Sequence, residues 1–111
     1  MRQARLALAA GLLLAACGGA AGPRGGDELY AKYCTRCHGA DGKGDPRTVN
    51  LYPQQDLPTS PMVRGRDRVL IHDRIAHGYG PMPGFAHRLE PAELGHLVDR
   101  TLEFGTTPGG R

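Results

Sequence analysis

Apolar positions recur at helical spacing in three stretches of this 111-residue chain, separated by long segments rich in glycine and proline. The clearest is the last: Leu94, Leu97, Val98, Thr101 and Leu102 follow i, i+3, i+4, i+7 and i+8. That pattern predicts a helix from Pro91, a natural first helical position, to about Phe104, with Gly105 closing it. Glu90 is a poor N-cap for it. Ile71 and Ile75 share a face in a second helix from about Asp67 to His77, with Asp67 as its cap and Gly78 as its stop. A first helix is expected from about Asp27, as N-cap, to His38, with Gly39 ending it. Its stripe is Gly26, Tyr30, Cys34 and Cys37. Residues 40 to 66 hold Gly42, Gly44, Pro46, Pro53, Pro58 and Pro61, so no regular element is expected there. A loop of that length is uncommon in a compact domain unless it wraps something. No strand alternation or internal repeat is visible, and the expectation is an all-α domain of about three helices over residues 26–105, with a loose tail at 106–111.

The N-terminal segment does not belong to that pattern. Arg2 and Arg5 precede an apolar run from Leu6 to Ala16, too short for the ~20 residues that span a bilayer. It has the form of a secretory signal. Its end, Leu14-Ala15-Ala16-Cys17, resembles the lipobox of bacterial lipoproteins. The resemblance implies a signal peptide at 1–16, a lipidated Cys17 and an exported, membrane-anchored protein facing the periplasm. Residues 17–25, Gly-rich through Gly25, then form a flexible tether. The alternative is an ordinary signal peptide cut near Ala20-Ala21, which discards Cys17.

Charge narrows the function classes. Without Arg2 and Arg5 the 14 basic side chains fall to 12, against 11 acidic ones, so the pI near 9.0 overstates the basicity of the domain. No long basic run remains and aromatics are few, so nucleic-acid binding is not supported. A domain of about 80 residues with no Trp and two Phe struggles to bury enough apolar surface unaided. A staple or a cofactor is expected.

The run Cys34-Thr35-Arg36-Cys37-His38 supplies the candidate. On a helix, positions i, i+3 and i+4 share a face. Two thiols there can reach neighbouring vinyl groups on one edge of a porphyrin while the imidazole binds its iron. C-x-x-C-H is a signal for c-type haem attachment. A dithiol redox motif would want a βαβ context, and a zinc site would want a second ligand pair near in sequence. The other histidines, His72, His77, His87 and His96, stand singly. Covalent haem c is therefore the expected cofactor, and Cys17, Cys34 and Cys37 are all used without a disulfide.

A haem iron with one His has a second axial position, whose occupant decides function. The candidates are Met62, Met82 and the four spare histidines. Met82 lies in Gly78-Tyr79-Gly80-Pro81-Met82-Pro83-Gly84-Phe85, where prolines stiffen the chain and glycines permit close approach to a flat ring. C-x-x-C-H-G followed by this Gly-x-Met-Pro strap resembles the class I c-type cytochromes, over Gly26 to Gly105. The resemblance implies a small fold with long loops round one haem, with Met82 as distal ligand. It also implies that Gly26, Tyr30 and Leu97 meet where the first and last helices cross. An aromatic is common at the position of Arg100, where this chain departs from the pattern. A loop proline in the family offers its carbonyl to the proximal imidazole; Pro53 fits best, with Pro58 the alternative. Met62 reads as a packing residue, and Arg64, Arg66 and Arg68 as a solvated face, with a propionate contact or a docking patch for an acidic partner as the alternative.

With His38 and Met82 both bound, the iron has no place for a small-molecule substrate. The expected function is one-electron transfer between membrane-bound redox partners rather than enzyme catalysis. The close rival is a fixed cytochrome c subunit of a quinol-oxidising or terminal oxidase complex. More distant rivals are a haem-based gas sensor, if Met82 does not bind, and a haem-free lipoprotein.

Overall fold

The computed structural model describes residues 22–106 together with Gly11. Apart from Gly11, the expected signal peptide lies outside the described residues, as do Cys17 and the tail beyond Thr106. Among the described residues five helices follow one another: α1 (Gly26–Tyr33), α2 (Thr35–His38), α3 (Pro61–Arg64), α4 (Arg68–His77) and α5 (Pro91–Glu103). A 3-10 turn at Pro53–Gln55 interrupts the long loop. No strand occurs among the described residues, and no helix among them is long and apolar enough to cross a membrane.

The three long helices are those the apolar spacing predicts, with two differences at their ends. The first expected helix is broken at Cys34, whose backbone swings to φ −115° before α2 begins. Thr35 marks the break by turning its hydroxyl back to the Tyr30 carbonyl, 3.2 Å away. The N-cap of α1 is Gly25 rather than Asp27, because Leu29 N–H already bonds the Gly25 carbonyl at 3.0 Å. Asp27 sits in the first turn, where a carboxylate suits the helix dipole, and pairs with Arg100 at 2.7 Å.

Asp67 caps α4 as expected, its Oδ1 accepting from Leu70 N–H at 3.0 Å, and Gly78 ends that helix at φ 78°. The weak cap at Glu90 is offset from inside α5: Glu93, at the third helical position, accepts the Glu90 N–H at 3.1 Å. In the stretch expected to lack regular structure, Pro61 opens the single turn of α3 and Val63 from that turn is buried in the core.

α5 forms the spine of the core, burying Leu94, Leu97, Val98 and Leu102 against Leu29 and Tyr30 of α1 and Ile71 and Ile75 of α4. Gly26 is what lets α1 cross so closely: a Cβ there would lie 2.6 Å from the His96 carbonyl oxygen and 2.9 Å from Arg100 Cβ. Arg100, the departure from the family pattern, lays its guanidinium over both Phe104 and Tyr30, 4.4 and 5.1 Å from the ring centres. A stacked cation thus occupies the place of an aromatic at the crossing.

The segment before α1 is also held. Arg24 donates from its backbone N–H (3.2 Å) and Nε (2.7 Å) to Glu93, and its carbonyl meets His96 Nδ1 at 2.8 Å. Arg24, expected within a flexible tether, therefore belongs to the folded domain. The guanidinium holds the Glu93 carboxyl at about 2, against an ordinary 4.5.

Candidate functional site

α2 is one helical turn, and it carries the whole C-x-x-C-H motif with Cys34 at its N-cap. Cys37 and His38 N–H both bond the Cys34 carbonyl, at 3.2 and 2.9 Å, which keeps the two cysteines and the histidine in helical register. The chain then reverses through Gly39 (φ 76°). Gly44 N–H returns to the His38 carbonyl at 2.7 Å and Asp45 N–H to the Cys37 carbonyl at 2.9 Å. Tyr30, on the neighbouring turn of α1, donates its hydroxyl to the Gly39 carbonyl. The motif is thus fixed from both sides before any cofactor is considered.

The loop brings a carbonyl to the imidazole. His38 Nδ1 lies 3.0 Å from the Gln55 carbonyl oxygen, so Nδ1–H donates there and Nε2 is left with its lone pair for a metal. This corrects the expectation for Pro53. Pro53 opens the 3-10 turn, and its own carbonyl accepts the Asp56 N–H at 3.1 Å. The turn it starts presents the carbonyl two residues later. Gln55 is anchored in turn, its side-chain carbonyl accepting the Thr48 hydroxyl at 3.0 Å. Pro58, the alternative, is not the partner either.

Burial tunes these groups. It pushes the His38 imidazole below its usual range, against the Gln55 bond, and so favours the neutral ring that can ligate iron. It raises the Cys34 thiol to about 11, with the neighbouring Cys37 adding to the rise. Cys37 is exposed and Cys34 half-buried.

Met82 lies on a strap that begins at Gly78 and is half-buried against the same core that Cys34, Tyr33 and Leu57 flank. Met62 rests on that core too, from α3, but lacks the proline- and glycine-bounded strap. Of the spare histidines, His72, His77 and His87 are exposed, and His96 is engaged with Arg24. Arg64 and Arg66 stay at the surface, and Arg68 pairs with Asp99 at 2.7 Å. Among the described residues no three His, Cys, Asp or Glu side chains are grouped to hold a bare metal ion. Sequence reasoning missed the Gln55 carbonyl, which has no side-chain signature, and the Arg24 clamp, whose partner lies 69 residues away.

Residues 21–99 match the family model described as cytochrome c oxidase, cbb3-type, subunit III. The chain belongs to this family of c-type cytochrome domains. It is similar to the solved structure of the KustC0563 c-type cytochrome, with 26% identity over 73% of this chain and 98% of that one, and a TM-score of 0.62. No curated protein matches it. A c-type cytochrome domain carries covalently bound haem c, and one of about 80 residues fits a single haem. The donor set here fits that group: two cysteines in helical register, and a neutral imidazole whose Nδ1 is already committed. Cys34 and Cys37 would hold haem c through thioethers and His38 Nε2 would hold its iron.

Proposed function

We propose that this cytochrome carries single electrons between membrane-bound respiratory partners, with Met82 as its distal ligand and Cys17 as a lipid anchor facing the periplasm. When bound, the haem supplies a ferric/ferrous couple. The chain's own residues hold the imidazole through Nδ1 and would offer the iron a thioether from the strap. What supports this reading is the hold on each donor: His38 Nδ1 meets the Gln55 carbonyl, and Met82 lies half-buried on a strap closed by its backbone pair with Tyr79. A thioether from Met82 would raise the potential, and an iron held by both His38 and Met82 would be left to exchange electrons alone.

The test is spectroscopic. The ferric holoprotein is expected to show the far-red charge-transfer band of methionine-ligated haem, and Met82→Ala to lose it. A wild type without that band, whose ferrous form binds carbon monoxide rapidly, would support a gas sensor instead. For the anchor, metabolic labelling with a fatty acid is expected to mark the protein; a freely soluble, unlabelled product lacking Cys17 would end that part of the proposal.

Membership of a family described by an oxidase subunit favours a second reading, a fixed subunit of a terminal oxidase complex. Extraction in mild detergent separates the two. A stable complex that co-purifies with the cytochrome points to the subunit, and recovery of the cytochrome alone points to the carrier.

A further inference from the structure

The strap that carries Met82 is bound at both ends to the last turn of α4. Gly78 N–H donates to the Arg74 carbonyl at 2.9 Å, Phe85 N–H to the Ile75 carbonyl at 2.9 Å and Ala86 N–H to the Ala76 carbonyl at 3.0 Å. Between these ends, Tyr79 and Met82 exchange both backbone hydrogen bonds, each 3.0 Å, across Gly80 and Pro81. Pro81 and Pro83 have no N–H to give, so the strap has few bonds of its own. Fit does the rest at its base: a Cβ on Gly78 would strike the Met82 carbonyl oxygen, and one on Gly84 would sit 2.7 Å from the Ala76 carbonyl oxygen.

One side-chain contact closes the outer edge. The Arg74 guanidinium lies 4.1 Å from the centre of the Tyr79 ring. Tyr79 is 59% exposed, so burial in the core does not account for its position. Arg74 has a carboxylate at hand, but Asp73 Oδ2 is 3.6 Å away, a long contact at the surface. The ring is therefore the better-placed partner, and it stands directly across the backbone pair from Met82.

We propose that Arg74 and Tyr79 form a latch on the strap, two positioning residues that set how often the Met82 thioether leaves the iron. The proposal rests on the reading of Met82 as distal ligand. Unstacking the ring frees Tyr79, and Tyr79 is the residue whose two bonds hold Met82 in place. An exposed cation–π contact is worth a change of roughly two- to five-fold in the opening equilibrium.

The test uses the purified ferric holoprotein and imidazole as an entering ligand, at mildly alkaline pH where imidazole is uncharged and indifferent to the loss of Arg74. Replacement of a bound thioether gives a rate that levels off at the strap-opening rate. Arg74→Gln and Tyr79→Leu are each expected to raise that ceiling roughly two- to five-fold. The double variant is expected to be no faster than the quicker single one, and Tyr79→Phe, which keeps the ring face, to stay at the wild-type value. A ceiling unchanged in Tyr79→Leu, or single effects that multiply in the double variant, would overturn the latch. In either of those cases a wild type with the far-red band leaves Met82 ligation standing. A wild type with neither band nor ceiling would instead remove the ligation reading, and the latch with it.

Discussion

Replacing Gly26 with alanine tests the close crossing of α1 and α5. The added Cβ would lie 2.6 Å from the His96 carbonyl oxygen, where ordinary contact begins at 3.4 Å. The obstacle is backbone in the middle of α5 and cannot swing aside, so α1 must retreat by roughly 0.8 Å, the difference between those two distances. Overpacking of this kind costs about 1–3 kcal/mol. Alanine recovers part of that through its better helix propensity, up to about 1 kcal/mol. The expected net loss is about 1–2 kcal/mol, which for a domain of this size lowers the melting temperature by roughly 5–15 °C. The neighbouring glycine is the control: Gly25 has φ −74° and a Cβ there would meet nothing within 4 Å. Gly25→Ala is expected to change stability by no more than about 0.5 kcal/mol. Thermal unfolding of the two holoproteins, followed in parallel by circular dichroism, is the assay. If Gly26→Ala melts with Gly25→Ala and the wild type, the close crossing does not limit stability and the reasoning is refuted.

Removing the cap in Asp67→Ala is expected to cost about 1 kcal/mol, read as a lower urea midpoint with an unchanged haem spectrum. Folding lowers the Glu93 carboxyl to about 2 from 4.5, so its contribution is complete above about pH 4.5 and disappears as pH falls through about 2. The gap in urea midpoint between wild type and Glu93→Gln is therefore expected to close over that window; a gap of constant size down to pH 2 would contradict the assignment. The double variant Cys34→Ala, Cys37→Ala, unable to hold its haem, is expected to lose the folded domain. A well-dispersed NMR spectrum from that variant would show the protein core to be sufficient alone.

Much of the fold was legible because its signals are local. Asp67, Gly78 and Pro91 act on the residues beside them, and the stripe from Leu94 to Leu102 needs no knowledge of its partner to be read as a buried face. The break at Cys34 was not legible, since helical spacing alone does not reveal the Thr35 hydroxyl turning back to Tyr30. Gly26 and Arg100 were marked as crossing positions by family resemblance, but the stacking of Arg100 on two rings depends on how the helices meet. The His38 partner lay beyond sequence for a different reason. It is a backbone oxygen, and a proline two residues earlier is what turns it toward the ring.

The clamp on Arg24 has a mechanical consequence. With a lipid on Cys17, the leash runs from Cys17 to Arg24, because Arg24 is already fastened to α5 through Glu93 and His96. Its seven residue steps span at most about 25 Å when fully extended. A domain of this size is about 30 Å across, wider than its leash is long. Such a cytochrome would roll against its own membrane rather than roam above it, always with the N-terminal end of α5 toward the mooring. Its partners would have to present their redox sites within that shallow layer. A Gly-Ser insertion after Gly22 would lengthen the reach without touching the haem.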